Sequence, residues 1–457
     1  MAMFRPFSTL TLLTLFSIAV ISRQQPVLDL AEQESMYQVL ESINSAFPWR
    51  SLFPDDLCIS SPHGVVCDYF SESNSTVFET AHIVELNFGY VSDYNPNPPC
   101  SSNSKLNPLI FTSFKFLRKL FFYKCFNESR VSLPDVLPSF TSSLEELVFI
   151  ENPSLVGPLS GILHNFSSLR RLVLTGNGVY GRIPDAIGDL VNLEEITLSR
   201  NQLGGEVTEN LVKLQNLNVL DLSHNNLYGY VPEMLGKLTV LLKLDLSSNG
   251  FVGKIPESFK HMQSLEFLDL SFNRFGNFGI PLFLGEMPRL REVYLRGNLL
   301  GGQIPNIWEN LGGVLTIGFS DIGLVGNIPS SMGLYLKNVC YLGLDNNKLE
   351  GTVPEELELL ESVQEINLEN NNLSGRVSFS TKFSSRIREK LKLAGNRDLC
   401  IDEKMRYAKS GGSLSLVQLK LCKKPNIPNA VFVNGCSLVP FDPHMLFMFL
   451  GFLFLFA

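Results

Sequence analysis

Three patterns in this chain carry residue types that do chemistry in proteins. Gly176-Asn-Gly178-Val-Tyr-Gly181 has the G-x-G-x-x-G spacing of a phosphate-cradling turn, where glycines let backbone amides approach a pyrophosphate. That chemistry needs a helix opening behind the turn, and Arg182-Ile-Pro184 opens none. The six histidines, at 63, 82, 164, 224, 261 and 444, show no H-E-x-x-H or other metal-ligand spacing. Asp221, Asp245 and Asp269 recur at a fixed interval and could suggest a cation site. The simpler reading is a solvated column answered by neighbouring polar side chains and water. No run has the form of a kinase Gly-rich or catalytic loop. No catalytic residue, cofactor or metal is expected.

The interval of those aspartates belongs to a repeat that fills the middle of the chain. Leu169-Arg-Arg-Leu172-Val-Leu174-Thr-Gly-Asn177 is one unit, and Leu193 to Asn201 and Leu217 to Asn225 are the next two. The asparagines continue at 249, 273, 298, 347, 371 and 396, with Asn152 upstream and Ile322 in the slot between Asn298 and Asn347. The step is 24 or 25 residues throughout, a period that marks a leucine-rich-repeat solenoid. Each Leu-x-Leu is a short strand that points alternate residues inward, and the leucines find a core only by stacking on neighbouring turns. Asn suits the ninth slot because its amide both donates and accepts, and so serves backbone groups in the bend. Ile322 lacks those bonds, which predicts an irregularity at Ser320 to Gly323. Another is expected after Asn273, where Phe275 to Pro281 holds two extra residues. The glycine match at 176–181 is two repeat slots read together.

Gly-x-Ile/Val-Pro follows the strand at 181–184, 229–232, 253–256, 302–305, 326–329 and 351–354. Glycine permits the bend, and proline fixes φ where the chain turns along the convex side. With the repeat, this resembles the extracellular domains of plant receptor-like proteins and receptor kinases over most of the mature chain. Ser320 to Pro329, Leu342 to Asn347, Glu365 to Leu373 and the repeat ending at Cys125 look like the plant subfamily named for Piriformospora indica-insensitive protein 2. The resemblance implies a receptor-like protein at the plasma membrane, linked to responses to root-colonising fungi. It also implies caps, needed because end repeats would expose the core. Met36 to Trp49 is expected as the opening helix, leading to Asp55 to Cys58 and His63 to Cys67. Leu393 to Cys400, with Cys422 beyond, resembles the closing cap. On that basis Cys58 pairs with Cys67 and Cys400 with Cys422. Cys100 pairs with Cys125, or Cys125 is a lone buried thiol in an asparagine slot. Cys340 is expected free.

The two ends speak of where the chain works. Arg5, the apolar run Leu10 to Ile21, and the small pair Val20 and Ser22 read as a cleaved signal peptide over residues 1–22. Sequons at Asn74, Asn127, Asn165 and Asn372 fit a secreted glycoprotein. Residues 23–115 are read as the N-terminal cap and an irregular first turn, 116–399 as repeats, and 400–434 as the C-terminal cap and stalk. Met445 to Ala457 is apolar but short for a spanning helix. Asn434-Gly-Cys436, the spacer Ser437 to His444 and that tail have the form of a GPI-attachment signal. Asn434 is then the attachment residue, with Gly435 or Ser437 as alternatives, and 435–457 the propeptide. The other reading of the tail is an unattached apolar end. The net charge of −8 and the absence of a Lys/Arg cluster exclude nucleic acid as a partner.

Recognition is expected on the concave face, where side chains of successive strands stand roughly 4.8 Å apart. Most are Ser, Asp, Glu, Lys or Arg. Phe267 and Phe272, then Tyr294 and Arg296 on the next strand, form an aromatic and cationic patch, with Tyr341 two strands on and Arg200 and His224 on earlier strands. Rigid aromatics beside Arg have the character of a binding hot spot. Single exposed aromatics are also common on surfaces that bind nothing. The function read from the sequence is a cell-surface receptor-like protein that binds a peptide, glycan or partner receptor and signals through a transmembrane receptor kinase. The alternative is a wall-associated inhibitor or adhesion protein with no signalling partner.

Overall fold

The computed structural model describes residues 27–423 except 61, 63, 72–78, 90–98, 135–142, 164–165 and 403–418. The signal-peptide residues, the sequons Asn74 and Asn165, and the anchor residues 434–457 lie outside the described set. The chain divides into a unit of Met1–Leu421 and one of Cys422–Ala457, and every repeat belongs to the first.

One repeat explains the rest. Leu217, Leu220 and Leu222 are fully buried, so the strand Val219–Asp221 turns Val219 and Asp221 to the other face. Adjacent strands pair parallel and in register, Val219 with Lys243 and Asp221 with Asp245. Repetition builds a 14-stranded sheet running from Val65–Ser71 to Leu391–Lys392. Only the first pair, Val65–Ser71 with Glu79–Gly89, is antiparallel. Opposite the sheet lie 3-10 helices such as Asp185–Asp189, Glu209–Lys213 and Glu233–Lys237. Helical segments are wider than strands, so stacking makes the sheet the short, concave side. Gly236 lets two of these helices meet, since a methyl group there would lie 2.4 Å from the Ser258 carbonyl oxygen.

The asparagines form a buried ladder. Asn225 Nδ2 donates to the carbonyls of Leu198, Leu222 and Ser223, and its Oδ1 accepts from Leu203 N–H at 3.1 Å. Asn201, Asn249 and Asn273 repeat the arrangement. Where the slot lacks asparagine, the next repeat compensates. Asn152 accepts from both Cys125 and Phe126 N–H, and Asn347 from both Ile322 and Leu324 N–H.

The irregularity expected at Ser320 to Gly323 does not disturb the concave sheet, where Thr316–Gly318 pairs in register on both sides. It falls on the lateral side instead. A second parallel sheet there has seven strands, ending at Arg274–Phe275, and a third of five begins at Val325–Gly326. Between them the extra residues near Phe278 and the missing asparagine at 322 interrupt the regular ladder, leaving the bridge of Gln303 with Val325 and scattered backbone bonds such as Leu299 N–H to Phe275 O and Gly301 N–H to Ile322 O.

The opening helix is Leu30–Ile43 rather than Met36 to Trp49. Asp29 caps it by accepting from Ala31 and Glu32 N–H, and a separate turn occupies Trp49–Leu52. Asp29 is a strong start signal that lies upstream of the apolar run used to place the helix. Glu32 is buried against the first long strand, with Oε1 2.7 Å from His82 Nδ1 and Oε2 accepting from Ile83 N–H. Cys58 is bonded to Cys67 and Cys100 to Cys125, with Cα–Cα separations of 5.6 and 5.0 Å. Cys400 and Cys422 are both disulfide-bonded, and Cys340 is a free, half-buried thiol. Among the described residues no helix is long and apolar enough to cross a membrane.

Candidate functional site on the concave face

Two outward positions flank the inward leucine of each strand, and two more close the strand before the asparagine. The last of these is left-handed in repeat after repeat. Arg200, His224, Ser248 and Phe272 have φ of 54°, 53°, 54° and 53°. The 53% exposure of Phe272 therefore comes from a left-handed turn, not from the strand alternation used to orient it in the sequence.

Most charges on this face are answered by a neighbouring strand. Arg171 bridges Glu146 and Glu195 at 3.0 and 2.8 Å, and Lys243 meets Asp221 at 2.8 Å. Lys390 and Lys392 share Glu365. Asp245 and Asp269 have no such cation. Burial pushes both carboxyls above their ordinary range, bonds from Ser247 and Ser271 oppose the rise, and the Asp221 charge adds to it. Among the described residues there is no cluster of three or more His, Cys, Asp or Glu able to hold a metal.

The structure joins four of the seven candidate residues in two separate pairs. The Phe267 and Tyr294 rings lie 5.7 Å apart on adjacent strands, and Lys243 Nζ sits 5.4 Å from the Phe267 centroid. The Arg296 guanidinium lies 5.5 Å from the Phe272 centroid. Tyr294 donates its hydroxyl to Glu292 Oε2 at 2.7 Å, and burial together with that carboxylate pushes its pKa up to about 12. The phenol is neutral at any physiological pH. Gly318 clears room for the ring, since a methyl group there would meet Tyr294 Cδ1 at 2.7 Å. Tyr341 stands beyond the intervening strand Thr316–Gly318. Arg200 and His224 sit three and two repeats before Phe272 in the same left-handed column and belong to neither pair. Arg200 and Arg296 have no ion-pair partner among the described residues.

Sequence reasoning passed over Tyr180, Tyr228 and Tyr230, which stand exposed on the lateral sheet. They lie beside the Gly-x-Ile/Val-Pro segments, which carry a strong bend signal that hides the outward slots around them.

A parallel sheet of repeating short strands, an asparagine ladder and Gly-x-Ile/Val-Pro bends define the class: the chain folds as a leucine-rich-repeat solenoid. Two families, described as "Leucine rich repeat" and "Leucine Rich Repeat", match residues 191–251 and 215–275, and 264–287 and 289–311. The chain is similar to Piriformospora indica-insensitive protein 2 of Arabidopsis thaliana, with 32% identity over 161 residues, 35% of this chain and 36% of that protein. It is also 32% identical over 139 residues to Protein TOO MANY MOUTHS of the same plant, 30% of this chain and 26% of that one. The matches thus span about a third, or less, of these relatives. Among solved structures, the complex PEPR1-AtPEP1 shares the fold, with a TM-score of 0.62 at 22% identity, covering 86% of this chain and 55% of that one. The Arabidopsis receptor kinase HAESA, in complex with the peptide hormone IDA and the co-receptor SERK1, gives 0.53 at 25% identity over 70% of this chain and 62% of that one.

Proposed function

We propose that the chain is a non-catalytic receptor-like protein held at the outer face of the plasma membrane, binding a peptide, glycan or partner receptor through its concave face. The observation that carries this is the two pairs Phe267–Tyr294 and Phe272–Arg296 on neighbouring repeats of a stiff leucine stack. Side chains fixed by such a stack lose little freedom on binding. HAESA, with a similar fold, holds a peptide hormone and a co-receptor. In this reading the signal passes to a transmembrane receptor kinase. The similarity to Piriformospora indica-insensitive protein 2 favours a role in plant responses to microbes. Anchoring is by GPI at Asn434, with glycans on the exposed Asn127 and Asn372.

The test starts from plant membranes carrying the tagged chain. Phosphatidylinositol-specific phospholipase C should release the protein, and its partners should co-purify from crosslinked membranes. Recovering a peptide across Cys436 to His444 from mature protein would falsify the anchor. Phe272→Ala and Tyr294→Ala should each weaken the recovered partner's affinity by about 2 kcal/mol, as hot-spot residues do. If neither variant changes it beyond twofold while both stay folded, the concave patch is not the binding site.

A further inference from the structure

The lateral side of the solenoid is a sheet whose middle strands carry exposed tyrosines. Tyr180 lies in Gly178–Gly181, and Tyr228 and Tyr230 in Asn226–Tyr230. They are 42%, 51% and 72% exposed. Pairing sets Tyr180 beside Gln202, Tyr228 beside Gly250, and Tyr230 beside Val252, which in turn neighbours Arg274. Strand alternation turns Asn226, Tyr228 and Tyr230 to the same outer surface.

That surface is flat for a local reason. The residue after glycine in each Gly-x-Ile/Val-Pro, or its equivalent, folds over the glycine of the next repeat. A methyl group on Gly205 would meet Arg182 Cγ at 2.8 Å, and one on Gly229 would meet Glu206 Cγ at 2.8 Å. On Gly253 it would meet Tyr230 Cε1 and Cδ1 at 2.5 and 2.6 Å. The Tyr230 ring therefore lies along the backbone, held at φ +83° by a residue without Cβ, and turns its free face to water. Charges across the plane nearly cancel. Arg182 and Glu206 are opposite in sign on neighbouring strands, and Lys254 is paired with Glu257 at 2.7 Å.

We propose that this lateral face binds a neutral polysaccharide, lying extended across the strands with its sugar rings on Tyr180, Tyr228 and Tyr230. A pyranose ring presents a C–H face that stacks on an aromatic ring, while its hydroxyls need hydrogen-bonding groups around it. Gln202, Asn226 and Arg274 supply those groups in the same plane. Tyr180 pairs with Gln202 and Gly204 with Asn226, so the equivalent slots of Tyr180 and Tyr228 are offset along the strands as well as across them, and their separation exceeds two strand spacings of about 4.8 Å. Gly204, in the slot between them, leaves the floor clear for the intervening sugar. The near balance of charge suits an uncharged chain, with Arg182 and Arg274 left as hydrogen-bond donors to its hydroxyls. This site is separate from the concave patch and stands without it.

Affinity electrophoresis of the full secreted chain tests the proposal, in gels containing a neutral β-1,4-glucan such as xyloglucan and, in parallel, polygalacturonate. Wild type should be retarded by the glucan and not by polygalacturonate. Tyr228→Ala and Tyr230→Ala should each lower the affinity at least tenfold, Tyr230→Phe should retain it, and Phe272→Ala on the concave face should leave it unchanged. Thermal unfolding of each variant excludes a folding defect. No retardation of wild type, retardation by polygalacturonate alone, or unchanged binding in both alanine variants would overturn the proposal. Loss in Phe272→Ala with retention in the tyrosine variants would move the sugar to the concave face and overturn it equally.

Discussion

Asn225 shows at the residue scale how a polar side chain holds an apolar solenoid together. Its amide adds a donor to the carbonyls of Leu198, Leu222 and Ser223, which Asn201, Asn249 and Arg200 N–H also reach, and is the acceptor of Leu203 N–H. Asn225→Ala should cost about 1–3 kcal/mol in urea unfolding, because it leaves the buried Leu203 N–H unpaired rather than merely removing a bond. Asp245 works in the opposite sense. Its folded carboxyl titrates above the ordinary range, so ionisation disfavours the fold, and its contribution to stability grows as pH falls through that raised value. Asp245→Asn should therefore stabilise the protein at pH 7 by on the order of 0.5 kcal/mol, after allowing for solvent screening. The gain should vanish near pH 3, where the wild-type carboxyl is protonated in both states. An equal gain at both pH values would show that charge is not the cause. The left-handed column is the residue-scale feature that sequence reasoning could not see. Non-glycine residues such as Arg200, His224, Ser248 and Phe272 accept the same φ, although left-handed backbone favours glycine, because the stacked repeats on either side impose it.

Strands and bends were legible from period alone, since a leucine every few residues at constant phase admits one stacking solution, whereas the 3-10 helices opposite the sheet were not read from it. What the period could not show was how one element answers another's defect. Ile322 marks a missing bond, and Asn347 repairs part of it from the next repeat. The remaining disturbance appears not at Ile322 but on the lateral side. The Phe267–Tyr294 pair was legible as neighbours on paired strands, yet its contacts with Lys243 and the room at Gly318 depend on side-chain rotamers. At the closing end, Asp398–Ile401 continues the lateral sheet from Asn372–Val377 and carries the disulfide-bonded Cys400. Cys400→Ser should destabilise that end by about 2–5 kcal/mol. Hydrogen exchange should quicken in Asn372–Val377 while the strand Val219–Asp221 keeps its protection, and unchanged exchange in both would assign Cys400 no structural weight.

On the scale of the whole molecule, each repeat touches only its neighbours, so stability is a chain of local terms. The concave sheet runs unbroken, but the lateral strands stop at Phe275 and resume at Val325. Urea unfolding followed by hydrogen exchange should therefore resolve two cooperative blocks, one on each side of residues 276–324. A single transition with identical protection on both sides would show that the concave sheet alone carries the coupling. The same gap has a mechanical meaning. A beam with one continuous flange and one thinned flange yields where it is thinned, and here the intact flange is the concave face, while a few backbone bonds still cross the other. A load between the two ends of the array, as from a wall polymer on one side and a membrane anchor on the other, would concentrate its bending at residues 276–324. Phe272, Tyr294 and Arg296 lie at and inside the edge of that notch, so tension would alter the spacing of the side chains we propose as ligand contacts.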